Sequence, residues 1–396
     1  MPYVQDRLVH DADSHLMELP DVLDPYLEGA LLERYHALPV YRHKLGKPGW
    51  TEKARDQQAD PQFRAGADEN VLLRKNYQAL GAFAPADRPR ALDLLGFASQ
   101  LVFTTFCLNN FGLDQGEDLE LAYATARAHN RMMTDFCAVD RRLLPTGYVP
   151  LEDFELAAKT AREAIELGCK ALLIPSKPPQ NHSPSHIALD PVWRMAEEAG
   201  LPIVLHVGGE EKLNGAYFEN GLPRVKDFHG GEENFTSLSF MAIPQAPMKT
   251  LAALVIDGVF DRFPALKFGA IELGAAWVPS WMRFLDSAAQ AFVRNEERLQ
   301  KLSDRPSNIV RRQLRVTPYP HEDVGWIIAN AGEEVCLFSS DYPHVEGGRN
   351  PLKRFDDSLE GTSERAVRRF YAENFIDLMG NGLAEDLRYP KRLEVA

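Results

Sequence analysis

Three short segments carry the residue types that bind divalent cations: Asp11, Asp13 and His15 in HDADSH, His206 in IVLHVGG, and Asp341 in LFSSDYPH. Mixed imidazole and carboxylate ligation suits zinc, manganese or iron, and open coordination positions leave room for substrate or water. Asp11, Asp13 and His15 alternate along the chain, so a regular strand would project all three to one side. A lone Asp near a turn is more simply a cap or an Asx-turn, and that reading is preferred for Asp11. His206 and Asp341 read as functional, because each ends an apolar run where an ionisable group is costly to bury unpaired.

The elements that must position these residues alternate between helical and strand periods. Phe154, Ala158, Ala161 and Ile165 share one helical face, with Asp153 as N-cap and Gly168 as the residue that ends the helix. A buried strand follows in CKALLIP; Asp190 and Pro191 then open a second helix that Gly200 stops, and LPIVLHV is the next strand. With LVHDAD, QLVFTT, LLPTGYV, LKFGAIE, QLRVTP and VCLFSSD, the chain offers eight candidate strands. Eight strands with intervening helices predict a distorted (β/α)8 TIM barrel, whose chemistry sits at the C-terminal ends of the strands. An open doubly wound sheet is the alternative. Residues 35–90 and 208–236, rich in Pro, Gly and charge, read as long loops over the C-terminal mouth of one domain spanning residues 1–396, the first being an insertion.

Composition narrows the partners. Lys and Arg total 44 against 57 Asp and Glu, a net charge of −13 that disfavours nucleic acid and anionic membrane surfaces. Four widely spaced cysteines, Cys107, Cys137, Cys169 and Cys336, form neither a disulfide framework nor a zinc-knuckle pattern, and point to a reducing cytoplasm. No basic segment followed by an apolar run opens the chain, and no run of 18 apolar residues occurs, so neither export nor a membrane span is expected.

Asp11-x-Asp13-x-His15, His206 after a strand, the segment Glu272-Leu-Gly-Ala-Ala-Trp-Val-Pro and Ser340-Asp341-Tyr342-Pro343-His344 occur in an order that resembles the amidohydrolase-related family. This is the amidohydrolase-superfamily branch of 2-amino-3-carboxymuconate-6-semialdehyde decarboxylase and γ-resorcylate decarboxylase. The resemblance runs from Val9 to about Gly380 and implies one divalent metal ion held by Asp13, His15, His206 and Asp341. Asp13 stands where the family has His or Glu. Glu272 stands where the decarboxylases end their sixth strand in a proton-transferring His; it either keeps that role through a raised pKa or is a structurally paired carboxylate.

Weaker candidates surround this set. His344 stands three residues after Asp341 and is placed to hydrogen-bond a ligand or to cap a loop. His229 and His321 fall in loops, where a surface histidine is the simpler reading, and Arg42, Arg64 and Arg74 lie in the insertion, where a guanidinium can clamp a substrate carboxylate. Trp277 and Trp281 read as packing. The resemblance implies non-oxidative decarboxylation of a small aromatic or unsaturated carboxylic acid, with Asp341, Glu272 and His206 catalytic. Hydrolysis of a small carbonyl compound is the alternative, and a catalytically silent ligand-binding barrel is the reading from another class. A homo-oligomer is compatible with all three.

Overall fold

The computed structural model describes residues 1–38, 49–208, 213–223, 225 and 236–390. Seven parallel strands lie side by side in chain order: β1 (His10–His15), β2 (Ser99–Phe103), β3 (Leu143–Tyr148), β4 (Ala171–Leu173), β5 (Ile203–His206), β6 (Phe268–Ile271) and β7 (Leu314–Val316). Nowhere does the order reverse, which excludes a doubly wound sheet. The eighth expected strand, 335–341, is irregular, yet it bonds to both edges. Leu337 N–H donates to Val316 on one side, while Ala12 N–H donates to Phe338 and Asp341 N–H to Asp13 on the other. The curled sheet is thereby joined across its edges into a distorted barrel surrounded by helices.

Local signals set the helices where they were expected. Asp153 accepts a hydrogen bond from Leu156 N–H at 2.9 Å and starts the helix Phe154–Leu167, which Gly168 ends at φ +96°. Gly200 ends the next helix, Asp190–Ala199, in the same left-handed way. That helix is capped one residue earlier than expected, at Leu189, and the Asp190 carboxylate instead pairs with Arg262.

Two layers of apolar packing result. Outward strand residues such as Val102, Leu172, Ile203 and Leu205 pack beneath the helices, while Ala12, Leu101, Phe103, Leu144, Leu173, Val204 and Ile271 fill the interior. The N-terminal end of the interior is plugged by Phe375, Leu378 and Met379 of the helix Asn374–Met379. A side chain such as Phe375, fully buried there, is worth about 3–5 kcal/mol against its truncation to Ala.

The insertion is more regular than its composition suggested. Helices run from Trp50 to Ala59 and from Pro61 to Glu69, the second capped by Asp60, whose carboxylate accepts Gln62 N–H at 2.8 Å. These helices are polar almost all round, so no apolar stripe announced them. Of the second expected loop, a short 3-10 turn at Gly215–Phe218 is described. One helical stretch, Ser237–Ile256, is long and apolar enough to cross a membrane by length and composition alone. Its Leu251, Leu254 and Val255 are fully buried in the core of this fold. All four cysteines are buried and free.

Candidate metal centre

A β-bulge in β1 decides what that strand presents. Asp11 pairs with Gln100 and Ser14 with Val102, so three residues of β1 span two of β2. The extra residue switches the phase of side-chain alternation. Before it, His10 and Ala12 face the interior, where His10 stacks on Phe375 and Ala12 joins the inner cluster. After it, Asp13 and His15 meet His206 from β5. Asp11, expected on the same side, is therefore turned away: its carboxylate accepts Gln100 Nε2 at 2.8 Å, Ser340 N–H at 2.8 Å and Ser340 Oγ–H at 2.6 Å. It ties β1 to β2 and to the closing segment.

Four ligand atoms gather at the C-terminal ends of the strands. Asp13 Oδ1 lies 3.2 Å from His15 Nε2 and 3.3 Å from His206 Nε2, and Glu272 Oε2 lies 3.5 and 3.2 Å from the same two nitrogens. Asp341 Oδ1 stands 3.6 Å from His15 Nε2, in an overlapping group with Glu272 and His344. Glu272 belongs to both groups and stands as close to the imidazoles as Asp13 does, so a proton-transfer group and a ligand are not separable by distance here.

Backbone carbonyls fix the two imidazoles. His15 Nδ1 donates to Thr104 C=O and His206 Nδ1 to Val207 C=O, each at 2.9 Å, which turns both Nε2 atoms to the cluster. Each Nε2 then needs a second proton or a metal ion. His15 Nε2 and Asp341 Oδ2 are buried without a hydrogen-bond partner, and Asp341 Oδ1 is met by His344 Nδ1 alone at 2.8 Å. A cation with bonds of about 2.1 Å holds neighbouring ligands about 3.0 Å apart in an octahedron and about 3.4 Å apart in a tetrahedron. The observed 3.2–3.6 Å separations match those edges, so the residues present fit a divalent cation.

The electrostatics point the same way. Burial pushes Glu272 far above the usual carboxylate pKa, and the charges of Asp341 and Asp13 push it further. Burial likewise raises Asp341, opposed by His344, whose Nδ1 lies 2.8 Å from Asp341 Oδ1. Asp13 is the exception: burial opposes its ionisation, but His15 and His206 outweigh burial and hold its pKa below the usual range. Three carboxylates thus share a buried site whose nearest counter-charges are the imidazoles of His15, His206 and His344.

Backbone strain marks the two strand-end acids. Glu272 and Asp341 sit at φ +55° and +52°, a region that non-glycine residues occupy at a cost of about 1–3 kcal/mol. Thr317 Oγ1 accepts Glu272 N–H at 2.8 Å and Tyr319 O–H donates to Glu272 C=O at 2.8 Å, so β7 and its extension hold Glu272 in place. Sequence reading missed Thr317 and Tyr319, since neither is an ionisable strand-end residue.

The remaining candidates divide. His344 joins the cluster: its ring stacks on His15 at 3.9 Å and its Nε2 lies 3.0 Å from Thr105 Oγ1. His321 is exposed and stacks on Tyr319, one residue removed from the cluster. Arg64 is not a free clamp, because Asp87 takes both ends of its guanidinium. Arg74 lies over the Phe63 ring and bonds the Phe63 carbonyl. Arg42 and His229 lie outside the described residues. Trp277 and Trp281 pack edge to face, their indole N–H groups donating to Gly274 and Met248 carbonyls.

The insertion supplies one cation that was missed. Asn76 N–H donates to Pro343, Met17 N–H to Ala82, and Tyr342 O–H to Leu80, so residues 76–82 are stitched to the ends of β1 and the closing segment. Lys75, half-buried at the start of that stretch, has its pKa lowered by burial and held up by Asp341 and Glu346. Its position beside Arg74, which drew attention instead, was the one available signal.

The model of a family described as Amidohydrolase matches residues 36–378. No curated protein matches the chain. Among solved structures, an amidohydrolase from Mycobacterium avium subsp. paratuberculosis K-10 superposes with a TM-score of 0.69 at 22% identity, covering 95% of this chain and 100% of that one. The 5-carboxyvanillate decarboxylase of Sphingomonas paucimobilis gives 0.61 at 16% identity, covering 94% and 99%. A dihydroxybenzoic acid decarboxylase from Polaromonas sp. JS666, with bound manganese and the inhibitor 2-nitroresorcinol, gives 0.60 at 18% identity, covering 97% and 100%. At these identities the likeness is one of fold.

Proposed function

The chain belongs to the amidohydrolase family, and from that membership we propose that it is a metal-dependent decarboxylase of a small aromatic or unsaturated carboxylic acid. The observation that carries the reading is the convergence of Glu272, a carboxyl whose pKa is raised by burial and by the charges of Asp341 and Asp13, on the imidazole pair of His15 and His206. In this reading it is the proton source beside the place where substrate oxygens bind. Structural neighbours that decarboxylate aromatic acids lend support by analogy of fold.

In this reading Asp13, His15 and His206 hold the cation, and Asp341 and Glu272 flank it. A divalent cation bound there supplies a Lewis acid for substrate oxygens. Glu272 gives its proton to the carbon that bears the carboxylate; the bond to the carboxylate then breaks, its electron pair restores the unsaturated system, and CO2 leaves. The ionised Glu272 takes a new proton from solvent. Asp341, through His344, is the alternative donor. In this reading Lys75, which feels the charge of Asp341, pairs with the substrate carboxylate before it is lost.

The test is a screen of aromatic and unsaturated carboxylic acids for CO2 release by the metal-loaded enzyme. Turnover in deuterium oxide should place deuterium at the vacated carbon, and Glu272→Gln should cut kcat by about 100-fold or more. The pairing of Asp341 with His344 at 2.8 Å favours a second reading, since it stabilises an ionised carboxylate fit to accept a proton from water. Oxygen from labelled water in a new carboxylate, with no CO2 formed, would establish the hydrolase in place of the decarboxylase.

A further inference from the structure

Four arginines line a depression of about 450 Å³ at the other end of the barrel, around the start of β7: Arg311, Arg312, Arg315 and Arg369, with Asn308 and two glutamates. Arg315 is 3% exposed; its Nη atoms reach Asp377 and the carbonyls of Arg311 and Leu314, while its Nε is buried without a partner. Arg369 Nε is also buried without a partner, and no carboxylate among the described residues pairs with its guanidinium. Arg311 bonds only neutral groups, the Ala331 carbonyl at 2.7 Å and Asn308 Oδ1 at 3.2 Å.

The carboxylates nearby are mostly engaged elsewhere. Asp377 is shared with Lys267, Asp261 holds Arg312, and Glu333 holds Arg365, which leaves Glu334, whose charge acts on Arg315, as the remaining acid of the lining. In a chain of net charge −13 this is a local excess of cations. Burial pulls the Arg315 pKa below the ordinary arginine value, and the charge of Arg369 adds to that shift. Arg369 also opens a π-turn, Arg369–Glu373, whose wide geometry releases the Phe370 carbonyl to accept Phe338 N–H at 2.9 Å. Such turns recur at functional sites.

A buried guanidinium N–H left without an acceptor is destabilising, and an oxyanion relieves that with charge-assisted, forked hydrogen bonds. We propose that this depression is a binding site for a small oxyanion of two or more charges, with Arg369 and Arg311 as its forks. Phosphate-type and dicarboxylate anions share the necessary chemistry.

The experiment is a calorimetric titration of the metal-loaded full chain with inorganic phosphate, sulfate and malonate, against sodium chloride at matched ionic strength. At least one anion should bind one to one, and the best of the three identifies the source. Arg369→Ala should weaken that binding about tenfold or more while leaving metal content unchanged. Arg369→Lys, which keeps the charge and loses the fork, should weaken it less, and it stands in should the Ala variant fail to fold. No heat from any anion up to about 10 mM, or binding unchanged in both variants, overturns the proposal. Binding that survives Arg369→Ala but vanishes in His206→Ala would belong to the acid–imidazole cluster and overturns it too.

Discussion

β1 carries a histidine at each end, and the two ends of the barrel tune them in opposite directions. His10, at the N-terminal end, is sealed under Phe375 with Ser99 Oγ and the Arg388 carbonyl as neutral partners, and burial lowers its pKa to about 4. Five residues on, burial works against the charged form of His15 too, yet Asp13 and Asp341 raise its pKa above the ordinary value. The same strand thus ends in a neutral packed imidazole on one side and in an imidazole among carboxylates on the other. The N-terminal end buries apolar surface for stability, whereas the C-terminal end gathers acids that nothing but imidazoles, or a cation, can balance.

The sharpest way to break this contrast is His206→Ala. It should remove most bound metal and lower activity by about 10⁴-fold, more than about 5 kcal/mol of transition-state stabilisation, while circular dichroism shows the fold intact. Full metal occupancy in that variant would end the ligand assignment. Phe375→Ala probes the opposite end: unfolding free energy should fall by about 3–5 kcal/mol in a denaturant titration, with the metal-to-protein ratio unchanged. Metal loss at native conditions would show the two ends to be coupled.

A third effect reads the pH. The folded-state pKa of His10 lies below its unfolded value, so its contribution is complete above about pH 6.5 and is lost as pH falls towards 4, about 3 kcal/mol in all. His10→Asn should flatten the stability profile across that window; an unchanged slope would mean that His10 is charged in the folded protein. The smallest expected effect is that of Lys75→Ala, a rise of about tenfold in KM with kcat within about twofold, since the lost pairing is one partly exposed ion pair. A fall in kcat alone would place Lys75 in proton transfer rather than in substrate binding.

Residues that act through their nearest neighbours were legible in the sequence. Asp153 with Gly168, and Gly200, mark helix ends because capping and left-handed backbone depend on a few adjacent residues, and apolar runs mark seven strands for the same reason. The strand-end acids and imidazoles were visible as types at spacings. The helices at 50–69 were not, because polar helices docked as an insertion lack the apolar stripe that periodicity detects. Arg64 looked free only because Asp87, far along the chain, could not be foreseen as its partner.

Taken alone, then, the amino-acid order determined the alternation of strands and helices, the acidic surface and the identity of the ionisable groups at the strand ends. Tertiary structure decided which of those groups meet. One extra residue in β1 against β2 turns Asp11 away and brings Asp13 and His15 inward, and that bulge is a property of two paired strands rather than of either. The convergence of Glu272 on His15 and His206, likewise, exists only once residues more than 60 positions apart are fixed within 3.5 Å by the curl of the sheet. Local rules carry no information about distance across a barrel, because that distance is set by register and closure.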